Sequence, residues 1–195
     1  MIINFISIFI IVIILFSIYI YFESKYNNLT YVKSTIDNRS YLVRNVKDKQ
    51  GAADMLAKLN QKLLKLVDHL VSINGKDKRV KRLKQKFNPN NISESLENTD
   101  YTSYSVNKGE KLVFCIREKN KTQKLEKLNI LTFVALHELA HIMTKSIGHK
   151  PEFWDNFKYM LEESVKIGIY KKNNFTKNPK DYCGTKITDS PLDKN

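Results

Sequence analysis

Cysteine is almost missing from this chain: among 195 residues only Cys115 and Cys183 carry a thiol. Two thiols cannot build the multi-bridge framework of small secreted domains, and they are too few for a cysteine-based zinc site. Their scarcity fits a reducing compartment. Acidic side chains are outnumbered, 20 against 33 Lys and Arg, which leaves a formal net charge of +13. Such an excess can attract nucleic acid or anionic lipid. A lysine-rich solvated surface is the simpler reading, because Lys and Asn are overused throughout. Glycine and proline are few. Apolar residues are ample at 42%, which supports a packed core and argues against wholesale disorder. The length suits one ordinary domain plus an appendage.

Charge is absent from the first 22 residues, MIINFISIFIIVIILFSIYIYF. A helix needs about 20 apolar residues to cross a bilayer, and this run is long enough. A cleaved signal peptide is the competing reading. It calls for a basic start, a shorter apolar stretch and a small-residue cleavage site, and none of these is present. Tyr19 and Tyr21 suit the membrane interface. Residues 1–22 are therefore expected to be a single-pass transmembrane anchor, 23–46 a polar tether and 47–195 the folded body. Lys25, Lys33, Arg39 and Arg44 follow the run, so the positive-inside tendency puts the body in the cytoplasm.

Within the body, Met55, Leu56, Leu59, Leu63, Leu66, Val67 and Leu70 recur at three- and four-residue steps, which predicts an amphipathic helix over 52–73. His69 lies on it and reads as a structural histidine. Lys76 to Lys86, KDKRVKRLKQK, holds seven basic residues in eleven. It could touch phosphates or lipid headgroups, but such runs are usually solvated. Residues 87–100 read as a loop. Thr102 to Glu118 predicts a β-hairpin turning at NKGE, with Leu112 to Ile116 largely buried. Asn129 is a candidate cap for a helix over 130–145. Gly148 marks its end, and Pro151 opens another helix. Tyr182, Cys183, Ile187 and Leu192 are candidate docking residues in a polar tail.

The chemistry concentrates in TFVALHELAHIM, residues 132–143. His137 and His141 are four apart and share one helix face. Two imidazoles so placed can reach one ion, and zinc accepts nitrogen ligands while leaving a position open for water. Glu138, beside the first ligand, can take a proton from the zinc-bound water and pass it to a leaving amine. Apolar flanks mark the helix as buried, where two imidazoles and a carboxylate without partners are costly. The third ligand is His149, behind Gly148, or else Glu162 or Glu163 on the next helix. His149 is preferred, because a glycine lets the chain turn back toward the metal.

HELAH, then His149, then Phe153-Trp154 resembles the H-E-x-x-H…H-x-x-x-F-W pattern of the WLM/SprT-like zinc metallopeptidases. NKGEKLVFCIRE is similar to the turn and strand of that family, with Arg117 in its arginine place. The tail YCGTKITDSPL and the anchor are similar to WLM-like proteins of large DNA viruses. The resemblance implies an α+β fold, a minimal zincin-like domain of helices packed on a small sheet behind the N-terminal helix. It implies Zn2+ as cofactor, a protein or peptide substrate, and a substrate strand added along an edge strand, for which Leu112 to Ile116 is the candidate. Nucleic acid is a further partner suggested by the family's action on proteins crosslinked to DNA. Seven residues separate His141 from His149, where the pattern usually has five. Two other readings stand beside the enzyme: a catalytically silent zincin-like domain that binds a partner, and an anchored basic module that binds nucleic acid or lipid through Lys76 to Lys86. The intact Glu138 favours the enzyme.

Overall fold

The computed structural model describes residues 4–26, 28–97, 99, 101–120 and 122–193. Helix α1 (Phe5–Tyr26) carries the apolar run, and its stretch Phe5–Phe22 is long and apolar enough to cross a membrane, with none of it buried against the rest of the chain.

Much of the segment expected as a tether instead joins the sheet. Strands β1 (Leu29–Lys33) and β2 (Ser40–Arg44) pair antiparallel, Leu29 opposite Arg44 and Lys33 opposite Ser40. The physical reason is legible afterwards: both strands carry β-branched and aromatic residues, and Asn38, at φ 60°, takes the left-handed backbone of the turn between them. Tyr41 and Val43 point into the core.

Helix α2 (Lys49–Asn74) buries the predicted stripe of Leu56, Leu59, Leu63, Leu66 and Leu70. Each such leucine contributes roughly 1.5–3 kcal/mol of burial. Helix α3 (Lys78–Lys86) holds most of the basic run. Two of its cations work inside the fold: Arg79 bonds Asp77 and Asn156, and Arg82 donates to the Met143 carbonyl at 2.6 Å.

The expected loop over 87–100 hides a third strand, β3 (Ile92–Glu94), buried throughout. β4 (Ser103–Val106) and β5 (Lys111–Phe114) form the predicted hairpin. The sheet order is β1-β2-β3-β5-β4, with β2, β3 and β5 mutually parallel. β5 is therefore an interior strand, and the edge beside the next helix is β4. This corrects the assignment of Leu112 to Ile116 as the edge. Its burial is what an interior strand needs, and β3 supplies the neighbour that the sequence did not announce.

Helices α4 (Leu128–Met143) and α5 (Pro151–Lys166) follow. Asn129 does not cap α4. Lys127 holds that position without a side-chain bond, and the Asn129 amide pairs both ways with the Lys171 backbone at 2.9 Å. Pro151 opens α5 as predicted. α2 and α4 cover the sheet, and α3 and α5 pack against them.

The tail docks. Phe175 packs its ring 4.7 Å from Phe133, a short hairpin forms from β6 (Lys180–Tyr182) and β7 (Thr185–Ile187), and Tyr182 and Cys183 are buried. Cys183 bonds Cys115 in a disulfide spanning 68 residues. The two thiols read as a sign of a reducing compartment are thus joined, because docking the tail on the end of β5 brings them together. Arg117, just beyond, sits between Glu94 and Asp48 at 2.7 Å from each and ties β3, β5 and the start of α2 to one another.

Candidate metal centre

Helix α4 supplies two histidines and a carboxylate. Its apolar neighbours Leu136, Leu139, Ala140, Ile142 and Met143 are buried, which sets the rotation of the helix. The helical pitch brings His137 and His141 onto one face with their Nε2 atoms 3.2 Å apart. His149 arrives from the loop after α4, where Gly148 adopts φ 79°. Its Nε2 lies 3.0 Å from that of His137. One ring nitrogen from each of the three falls within 4.8 Å of the others. The Phe153 ring packs against all three imidazoles, at centroid distances of 4.8, 4.3 and 4.6 Å from His137, His141 and His149. Trp154, partly exposed, lies 5.7 Å from His149.

The donor set fits zinc. Two nitrogens bound to one tetrahedral ion at about 2.0–2.1 Å lie about 3.3 Å apart, close to the 3.2 and 3.0 Å that separate His137 from His141 and His149, and the third pair lies within 4.8 Å. Burial, then the neighbouring His141 and His149, holds His137 down to about 3; burial, then His149 and Lys108, holds His141 down to about 4. Both are neutral at neutral pH, so each keeps a lone pair for a cation. Lone pairs crowded this closely repel unless a cation or a shared proton lies between them. Three protein nitrogens leave one tetrahedral position for water or substrate.

Glu138 is 6% exposed. Burial pushes its carboxyl up to about 7, opposed by a hydrogen bond accepted from the Ser105 backbone N–H of β4. A group so placed exchanges protons readily at neutral pH. Ser105 was not singled out from the sequence. Its signal, a small polar residue on a strand beside a buried helix, is too common to select it.

The alternative third ligands lie elsewhere. Glu163 bonds His69 at 2.8 Å and Lys166 at 2.5 Å. Glu162 is exposed, and neither glutamate belongs to the histidine cluster. His69 is a structural partner, as expected. A cavity of about 380 Å³ opens at the C-terminal ends of β2, β3 and β5, and none of the three histidines lines it. Within it Arg44 pairs with Glu97 and Arg117 with Glu94.

Residues 36–195 match the model of the WLM domain. The chain is 32% identical over 179 residues to the uncharacterized protein R325 of Acanthamoeba polyphaga mimivirus, covering 89% of this chain and 90% of that one. It is 34% identical over 83 residues to the uncharacterized protein 136R of Invertebrate iridescent virus 6, covering 42% and 44% of the two chains. The fold is similar to the crystal structure of Wss1 from Saccharomyces cerevisiae, with a TM-score of 0.50 and 17% identity over 65% of this chain and 88% of that one. On the strength of a match that spans most of its length, the chain belongs to the WLM-domain family.

Proposed function

We propose that this chain is a membrane-anchored, zinc-dependent metallopeptidase that hydrolyses peptide bonds of a protein substrate. The observation that carries the reading is the convergence of the His137, His141 and His149 ring nitrogens beside a buried Glu138. The three imidazoles hold the metal. Bound zinc supplies Lewis acidity to the scissile carbonyl and lowers the pKa of its water. Glu138 accepts a proton from the attacking water and returns it to the leaving amine nitrogen, a role its raised pKa suits. Substrate backbone lies along the outer edge of β4 as an added strand, where Ser105 already reaches Glu138. A silent binding domain has no need of a carboxylate poised in this way.

Helix α1 is the anchor in this reading. The basic residues after it favour a cytoplasmic body, whereas the Cys115–Cys183 bridge favours an oxidising compartment. Protease protection of the full chain in sealed vesicles decides between them.

The test of the activity uses the purified full chain in detergent, loaded with zinc. Cleavage of casein or of itself is expected, and Glu138→Gln is expected to keep zinc and lose cleavage. Cleavage that survives this substitution unchanged would sink the mechanism.

A further inference from the structure

His149 is presented by a loop with no regular structure, residues 144–150, between α4 and α5. One ammonium grips its first three residues from the hairpin side. Lys108 Nζ donates to the carbonyls of Thr144, Lys145 and Ser146 at 2.8, 2.7 and 2.9 Å. These three bonds use all three donors of the amine on three consecutive carbonyls past the end of α4. From the other side, the Glu152 carboxylate accepts the backbone N–H groups of Lys145 and Ser146 at 3.0 and 3.2 Å, and the Ser146 hydroxyl at 2.8 Å.

The backbone of Lys108 carries a second, independent sign. It sits in the β4–β5 turn at φ 54°, after Asn107 at φ 46° and before Gly109 at φ 113°. Asparagine and glycine take left-handed backbone easily; a lysine is strained there. A strained side chain aimed at consecutive carbonyls points to a role beyond turning the hairpin.

We infer that Lys108 is a positioning residue that fixes the loop presenting His149 to the metal. This rests on the proposed zinc site. The loop has no helix or strand of its own, so the clamp from the hairpin turn, with Glu152 on the other side, sets the path that brings His149 to His137. Burial, then Lys86 and Arg82 nearby, lowers the pKa of Lys108 from its ordinary value, and Glu152 opposes them.

The test is a double-mutant cycle on zinc affinity, measured with the full chain in detergent by competition with a chromophoric chelator. Lys108→Met is expected to weaken zinc binding by roughly 10–100-fold, the range typical of groups that orient metal ligands. In a His149→Ala background the same substitution is expected to change affinity less than about threefold, because its effect passes through His149. Melting of the zinc-free protein gives the control: a purely structural lysine lowers that melting temperature and leaves zinc affinity alone. Should Lys108→Met fail to fold, Lys108→Gln, which keeps one donor, is read in its place with a smaller loss expected. Equal losses in both backgrounds, or an unchanged affinity in Lys108→Met, overturn the inference. A wild-type chain that binds no zinc overturns the metal site itself, and this inference with it.

Discussion

Backbone hydrogen bonding from Ser105 of the edge strand β4 acts on the carboxyl of Glu138, the candidate base on α4. That bond lowers the carboxyl pKa against the burial that raises it. Ser105→Pro removes the donor at an edge position whose N–H faces away from β5, where proline is tolerated. Peptidase activity is expected to fall about 10- to 100-fold, the worth of one hydrogen bond to a charged group. Without the bond the pKa of Glu138 rises, and the base must be deprotonated to act, so the ascending limb of kcat/KM moves to higher pH. An unmoved limb contradicts the role given to this bond.

Replacement of the third histidine should separate the alternatives. His149→Ala is expected to weaken zinc binding by more than the roughly 10–100-fold typical of groups that only orient ligands. Glu163→Gln keeps an acceptor for His69 and should change zinc affinity little. Chelator competition reads both, and the reverse order of effects would transfer the ligand role to α5.

The Cys115–Cys183 bridge closes a loop of 68 residues. On a chain-entropy estimate it contributes about 4 kcal/mol. Reductant, or Cys183→Ser, is expected to lower urea stability by that order and to release the β6–β7 tail to proteolysis. Alkylation of both thiols in native protein purified without reductant would show that the bridge does not form.

Arg117 and Glu94 are both buried and paired. Arg117→Met leaves Glu94 a buried charge without its partner, and a loss of about 3–5 kcal/mol is expected. Adding Glu94→Gln removes that charge while keeping an acceptor for the Arg44 N–H, so the double variant should be more stable than the single one. Urea titration of the two measures the difference.

Asp77 caps α3 through the Arg79 backbone N–H at 2.7 Å. Asp77→Ala is expected to cost about 1 kcal/mol. The side-chain bond from Arg79 is the first cause holding the Asp77 carboxyl below its ordinary value. A depressed carboxylate stabilises the fold above its unfolded pKa, near ~3.9, and loses that contribution as pH falls through the lower folded value. The difference between wild type and Asp77→Ala should therefore shrink below about pH 4.

The sequence by itself determined whatever depends on neighbours a few residues apart. The four-residue step from His137 to His141 becomes one shared face through helical pitch alone. The leucine stripe of α2, the NKGE hairpin and the apolar run of α1 are likewise local patterns. Tertiary structure alone decided what rests on distant pairing. β3 is three residues long and carries no periodic signal, yet it makes β5 interior and leaves β4 as the edge. Glu163 is drawn to His69, 94 residues away. The two cysteines meet only because the tail docks beside β5. His149 stood open against Glu162 and Glu163 in the sequence; its place beside HELAH comes from a loop held by Lys108 and Glu152. Helical periodicity is written into the chain, but the path of an irregular loop is set by the side chains that reach it from elsewhere in the fold.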